Sequence, residues 1–507
     1  MEPLHNEIFF ARARKNAAQD SSVLDVHEDS LKGDIACAAS TEANCEKEPL
    51  YSGSKVRFAP SPTGYLHAGN IRIAVFNYLF AKKNDGVFVL RIDDTDVERS
   101  SRELEKLMLE DLTWVGITWD EFYRQSERID RYISAMEHLK NIGRIYPCYE
   151  TKEELALKRK AQAMSGIPPV YDRASLHLDD DQKKQLESNG VRPYWRFKLD
   201  DTKSVEWNDL VHGKISIPLN SVSDPILIKP DGSFVYTFAS VVDDIDIGIT
   251  HIIRGDDHVT NTATQIDIFT AICGSSPEFA HVPLMSSPDG QEVSKRVGSP
   301  FSICNMRKDG ILPEAIFNFL ASLGTSNNLD PNDTIDTLIE KFSFEKMSLA
   351  SSKFYLDDLK QLSRKILSEK SFENVKDSLQ QLELENISEV FWNTIRGNID
   401  TTQDAVFWHS IYYQRDAGPD NKTRVLQALE DEKFMRCMLD SLTDPFVFDD
   451  WIANLKKASG KKGKDLFHPI RVVLTGVDHG PELKKITSLM GYDRIKQKIE
   501  KSLEVFK

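Results

Sequence analysis

The chain has 507 residues, too many for one ordinary domain and enough for two to four. It is 40% hydrophobic and 28% charged, with a mean hydropathy of −0.40, a globular composition, and no run of about 18 apolar residues suggests a membrane-spanning helix. A net charge of −15 and a pI of about 5.4 argue against a general nucleic-acid coater, but not against a local basic surface that meets phosphates.

Residues 1–53 lack sustained periodicity and are rich in Ser, Ala, Asp and Glu, which predicts a poorly ordered extension. Phe9, Phe10, Arg12, Arg14 and Lys15 fall in its first part without an apolar core, so a secretory signal is not expected. Glu2 and Glu7 count against a transit peptide. At Lys55 the character changes. Val56-Arg57-Phe58-Ala59 reads as a short strand, and Pro60-Ser61-Pro62-Thr63-Gly64 as a turn. From His67 to Lys83 the apolar residues Ile71, Ala74, Val75, Tyr78 and Leu79 have helical spacing. Val87 to Ile92 is an apolar strand ending in Asp93-Asp94-Thr95-Asp96, and Arg102 to Trp114 is an amphipathic helix. Strand, helix and strand in this order predict a βαβ unit with a parallel sheet.

Residues from about 141 to 235 are mixed, with a charged helical stretch at 152–164 and a β-like segment at Tyr194 to Leu199; they read as an α+β insertion. Alternation of strand and helix returns with Thr250 to Arg254 and a helix near Thr262 to Ile272. After Ser302 the pattern is helical to the end. The expected order is an extension (1–53), the first half of an α/β core (54–140), the insertion (141–235), the second half of the core (236–300), a helical connector (301–370) and an all-α region (371–507). Six cysteines, Cys37, Cys45, Cys148, Cys273, Cys304 and Cys437, form no C-x-x-C pair, which suits reduced thiols in a cytosolic protein. Lys456, Lys457, Lys461, Lys462 and Lys464 cluster within nine residues, either as a phosphate-binding surface or as a solvated loop.

Two segments carry chemistry. A turn that leads into a helix presents backbone N–H groups and the positive end of the helix dipole to an anion. Gly64-x4-Gly69 has the spacing of a phosphate loop, but Asn70 and Ile71 follow instead of Lys and Ser or Thr, so that motif is excluded. His67-Ala68-Gly69-Asn70 instead puts an imidazole at the helix start. Alone it reads first as a helix cap and second as a donor to a phosphate oxygen. Val293-Ser294-Lys295-Arg296 follows the turn-rich Ser287-Pro288-Asp289-Gly290. Alone it is a solvated basic loop, or one that neutralises a triphosphate.

Together the two segments resemble the HIGH and KMSKS motifs of class I aminoacyl-tRNA synthetases. Arg57 to Gly64, Arg91 to Asp96, Val241 to Asp244 and Ile253 to His258 resemble the glutamyl-tRNA synthetases in particular. Pro469-Ile470-Arg471, Leu474-Thr475-Gly476 and Gly480-Pro481 are similar to the anticodon-binding region of the bacterial family, so the resemblance runs from about Lys55 to the end. It implies a Rossmann-like α/β catalytic core with an acceptor-stem-binding insertion, then an all-α anticodon-binding region. It also implies a cytoplasmic, monomeric ligase that uses ATP and Mg²⁺ to join L-glutamate to tRNA(Glu), tRNA(Gln) or both. Carried over residue by residue, glutamate meets Arg57, Ala59, Ser61, Asp93, Tyr236, Ser240 and Arg254, with Asp93 facing the α-amino group. ATP meets Pro60, Gly64, His67, Gly69, Asn70, Asp257, Ser294, Lys295 and Arg296, with His67 and Lys295 stabilising the phosphates. Tyr236 has a second reading as a core residue of Phe234-Val235-Tyr236.

Three positions depart from the family's pattern. Asp93 stands where many relatives have Glu, Ser240 where some have Asn, and Glu292 where the KMSKS motif has its first Lys. Some relatives bind zinc in the insertion through cysteines after a Tyr-x-Cys stretch. Tyr146-Pro147-Cys148 keeps one cysteine and Tyr171 to Ser175 has none, so no structural zinc is expected. Two other classes fit parts of the chain. A tRNA-independent nucleotidyltransferase with the same core would not need the long helical tail. An inactive tRNA-binding paralogue would suit Glu292 but not the retained His67, Arg57, Arg254 and Lys295.

Overall fold

The first strand, β1 (Lys55–Phe58), is buried at all four positions, as a strand covered on both faces requires. It pairs in parallel with β2 (Val87–Ile92), Lys55 opposite Val87 and Phe58 opposite Leu90, and β2 pairs in parallel with β3 (Glu121–Arg124). Parallel neighbours need a crossover, and helices α1 (Ala68–Lys83) and α2 (Arg102–Val115) supply it. The protein is described by a computed structural model that covers residues 53–96, 99–166, 168–290, 299–385, 387–413 and 432–504. The expected extension therefore lies, apart from Gly53, outside the described residues.

The core resumes with α3 (Tyr236–Ile247), β9 (His251–Gly255), α4 (Val259–Cys273) and β10 (Glu278–Val282). β9 and β10 are parallel, from Glu278 opposite His251 to Val282 opposite Gly255. The Thr250 N–H donates to the Lys55 carbonyl at 2.9 Å, and the Lys55 N–H donates to Thr250 Oγ1 at 2.7 Å. These bonds bring β9 beside β1. The strand order is then β3-β2-β1-β9-β10, the doubly wound Rossmann order, which reverses between β1 and β9.

Between the two halves lie a three-stranded antiparallel sheet, β4 (Ile145–Cys148), β5 (Tyr194–Phe197) and β8 (Ile226–Ile228), and a hairpin of β6 (Ser204–Asp209) and β7 (Gly213–Pro218). The hairpin belongs to the insertion in sequence, yet β6 bridges in parallel to β10 at Asp209 and Phe279. Around Cys148 the described residues of the insertion form a hydrogen-bonded cluster. Tyr171, Ser175 and Tyr194 donate to Glu150 at 2.7, 2.8 and 3.2 Å, and the buried Cys148 thiol lies 3.6 Å from the Tyr171 hydroxyl. Burial pushes that thiol up to about 11, so it stays protonated.

The chain divides into two compact units. One holds the elements above with Leu320–Asn328 and Ile335–Phe354; the other holds Ile303–Phe319, Leu329–Thr334 and the described residues from Tyr355 onward. Residues of the expected connector, 301–370, are thus shared between them. One cause is a short parallel pairing of Met285–Ser286 with Ser352–Lys353 inside the first unit. Described elements of the second unit from Leu356 onward are helical, and its buried Trp392 and Trp451 donate their indole N–H groups to Lys370 and Met438 carbonyls at 2.8 and 3.0 Å. Among the described residues, no helix is long and apolar enough to cross a membrane.

Candidate active site

An open α/β sheet leaves a crevice at the carboxyl ends of its strands where the order reverses. Here a cavity of about 450 Å³ occupies that place. Arg57 and Phe58 at the end of β1 line it together with Arg254 and Gly255 at the end of β9, so the two strands run in the same direction. Of the residues named from the sequence, Arg57, Ala59, Pro60, Ser61, His67, Gly69, Asn70, Tyr236, Arg254 and Asp257 meet on its walls. Gly64, Asp93 and Ser240 are not on them. Ser294, Lys295, Arg296 and Glu292 lie outside the described residues.

His67 is the N-cap of α1. Its backbone is extended, its Nδ1 accepts from the Gly69 N–H at 3.1 Å, and its own N–H donates to Asn70 Oδ1 at 3.3 Å. The imidazole is therefore both cap and cavity wall. With Nδ1 accepting, the neutral ring carries its proton on Nε2, a donor for a phosphate oxygen. Gly69 is what permits this fold-back. A Cβ there would stand 2.9 Å from Cε1 and 3.0 Å from Nδ1 of His67. The segment after the undescribed residues is tied to the same place. The Ala68 N–H donates to the Phe301 carbonyl at 2.9 Å, and Ser302 bridges to His67.

Arg57 is buried and donates from Nε to Asp244 Oδ1 at 3.1 Å. The same oxygen accepts from Arg91 Nη1 at 2.7 Å. Arg91 is fully buried; it also donates to both oxygens of Asp93 at 2.7 and 3.2 Å and to Ser240 Oγ at 3.0 Å. Asp243 takes Arg128, Tyr132 and Gln125 at 2.6, 2.8 and 2.9 Å. Three arginines thus face three aspartates with most polar atoms bonded, the condition under which buried charge is tolerated. This explains why Asp93 and Ser240 miss the wall: Arg91 holds both behind it. Burial pushes the Asp93 carboxyl up to about 6, against the pull of Arg91.

Arg254 is also buried. Nη2 donates to Thr262 Oγ1 at 2.6 Å and Nε to His281 Nε2 at 3.4 Å, while Nη1 has no hydrogen-bond partner among the described residues. Burial lowers its pKa, Tyr236 opposes that, and the neighbouring Arg57 adds to it. Two ionisable cavity residues, Arg72 and His258, were given no role from the sequence. Arg72 donates to the Pro283 and Leu323 carbonyls at 2.7 and 3.0 Å, and burial lowers it to about 10. An arginine between Ile71 and Ile73 on a buried helix was the available signal. His258 lies 3.5 Å from Asp257, and burial, then Arg254, holds its pKa below the ordinary value. Three arginines against one lining carboxylate make the cavity a receptor for anions. No group of three or more His, Cys, Asp or Glu that could hold a metal occurs among the described residues.

Comparison with known proteins gives the same direction. A family model described as tRNA synthetases class I (E and Q), catalytic domain, matches residues 54–361, and an anticodon binding domain model matches 421–503. The chain is 45% identical over 448 residues to glutamate–tRNA ligase 2 of Hyphomonas neptunium, covering 88% of this chain and 99% of that protein. It is 43% identical over 458 residues to glutamate–tRNA ligase 2 of Gluconobacter oxydans, covering 89% and 100%. A solved glutamate tRNA ligase from Elizabethkingia meningosepticum, in complex with its amino acid, superposes with a TM-score of 0.77 at 28% identity, covering 90% of this chain and all of that one.

Proposed function

The chain belongs to the class I tRNA synthetases of the glutamate and glutamine type, and from that membership we infer that it is a glutamate–tRNA ligase of the bacterial kind. It activates L-glutamate with ATP and transfers it to the 3′-terminal adenosine of tRNA(Glu), tRNA(Gln) or both. The observation that carries the site assignment is the meeting of Arg57, Arg254 and the His67 cap in one cavity at the sheet's switch point.

The glutamate α-carboxylate attacks the α-phosphorus of ATP, and pyrophosphate leaves. The terminal ribose 2′-OH then attacks the carbonyl of the adenylate, and AMP leaves. No protein nucleophile takes part; the protein positions reactants and meets developing charge. Arg57 and the open Nη1 of Arg254 suit the carboxylates, with Ala59, Ser61 and Tyr236 beside them. Asp93 is assigned to the ammonium. Its oxygens are already engaged by Arg91, which makes Asp93→Asn a decisive variant: retained glutamate affinity would remove it from the site. Ser240 acts behind Asp93 through Arg91. ATP lies against Pro60, Gly64, Gly69, Asn70 and Asp257, with its phosphates toward His67 and the start of α1; Ser294, Lys295 and Arg296 complete the charge by family resemblance. Mg²⁺ bound with ATP would supply charge neutralisation for the departing pyrophosphate, with most of its ligands taken from phosphates and water.

The protein is proposed to work as a cytoplasmic monomer, which sedimentation at working concentration tests. Pyrophosphate exchange that requires both glutamate and tRNA is the expected outcome of the activity assay. Exchange without tRNA would instead favour a free-standing nucleotidyltransferase. Charging purified tRNA(Glu) and tRNA(Gln) separately decides the tRNA.

A further inference from the structure

Asp209 and His281 are both fully buried, lie outside the cavity wall, and have no role in the mechanism above. Asp209 ends β6, in the insertion. Its Oδ1 accepts from the N–H groups of Val211 and His212 at 3.0 and 3.1 Å and so closes the hairpin turn, and also from the His281 N–H at 3.2 Å. Its Oδ2 meets His281 Nδ1 at 2.5 Å. His281 sits on β10, stacked on Phe279 with ring centroids 6.1 Å apart and edged by Trp207 of the hairpin at 6.4 Å. Its other nitrogen, Nε2, lies 2.8 Å from Thr262 Oγ1 and 3.4 Å from Arg254 Nε.

The proton count on this chain is restrictive. Arg254 only donates, and the single Nε2 lone pair faces both its Nε–H at 3.4 Å and the nearer Thr262 hydroxyl at 2.8 Å, so Nε2 serves as an acceptor. Nδ1 must then carry the ring proton and give it to Asp209. This requires a neutral imidazole and an ionised carboxylate. The surroundings agree: burial lowers His281, and the His281 contact and backbone N–H groups hold Asp209 down at about 2 against burial. Asp209 thus selects the tautomer of His281, which offers a lone pair to Arg254, as a carboxylate fixes a histidine that binds a metal.

We propose that Asp209 and His281 are positioning residues for glutamate recognition: the insertion hairpin, through this pair, fixes the orientation of Arg254 and leaves its Nη1 for the substrate. This rests on the assignment of Arg254 to glutamate. In Asp209→Asn the carboxamide can donate to Nδ1, which drives the ring proton to Nε2 and sets a donor against the Arg254 Nε–H. The KM for glutamate should rise at least tenfold in full-length enzyme, with the KM values for ATP and tRNA within twofold of wild type. His281→Gln, which removes the ring at the other end of the same contact, should give the same split. Both are measured by tRNA charging, with melting temperature recorded to compare only folded protein. A rise confined to the KM for tRNA would overturn the proposal, as would an unchanged KM for glutamate in both variants. Arg254→Ala separates the two levels. If it leaves the KM for glutamate unchanged, the site assignment fails; if it raises that KM while Asp209→Asn and His281→Gln do not, only the positioning pair fails.

Discussion

At the scale of single residues, the cavity is governed by how many buried donors the fold leaves open. Among the described residues, Arg57 has one bond, to Asp244, and Arg254 keeps Nη1 without a partner, whereas Arg91 is fully committed. A hydrogen bond to a charged group contributes about 1.5–3 kcal/mol, so Arg254→Ala should raise the KM for glutamate roughly 10- to 100-fold in a charging assay. Arg91→Ala should act differently. It removes the cation that three aspartates share and should unfold the protein or lower its stability by about 3–5 kcal/mol, read from urea denaturation. The pair Asp209–His281 also has a pH consequence. His281 has a folded pKa below its ordinary value, so its neutral form favours the fold. That contribution is present above about pH 6.5 and is lost as pH falls below it, toward the lower folded value. The melting temperature of wild type should fall more steeply on acidification from about pH 6.5 than that of His281→Gln, which has no ring to protonate.

At the scale of elements, β1, β2, β9 and helices α1, α2 and α4 fall where hydrophobic period predicts them, because a parallel sheet covered by helices writes apolar runs into the chain, whereas β3, α3 and β10 were not read from it. The entry to α1 shows where period is insufficient. His67 caps the helix through a side-chain nitrogen, and the cap works only because Gly69 leaves room for the ring. Gly69→Ala should force the imidazole outward. The lost cap costs about 1 kcal/mol in unfolding free energy, a small effect. Turnover should fall far more, on the order of 100-fold, because a donor aimed at the transition state is displaced. Near-normal turnover in that variant would separate the cap from catalysis. Asp93 and Ser240 mark another limit of reading by element. Asp93 follows the predicted strand β2 and Ser240 sits on α3, a helix that period did not mark; the orientation of both is set by Arg91, whose bond to Ser240 spans 149 residues.

At the scale of the whole molecule, an acidic chain must bind a polyanion. The net charge of −15 opposes tRNA at a distance, so the approach depends on local cations. Lys456, Lys457, Lys462 and Lys464 are exposed in the second unit, and Lys461 lies over the Phe434 ring at 4.6 Å. The KM for tRNA should rise steeply between about 50 and 200 mM salt while the KM for glutamate barely moves. Lys462→Glu combined with Lys464→Glu should raise the KM for tRNA and flatten its salt dependence. An unaltered slope would return these lysines to a solvated loop.

The sequence by itself determined the α/β core, the helical second region, and two motif segments whose order and spacing resemble one family. Those features are local: period, turn residues and short motifs are complete within about twenty positions. Tertiary structure alone decided that Arg72 and His258 line the cavity, that Asp93 and Ser240 stand behind it, and that Asp209 reaches Arg254 through His281. Each of these depends on which buried polar group finds which partner across distant strands. Hydrophobic pattern specifies that a position is inside; only the packed fold specifies what it meets there.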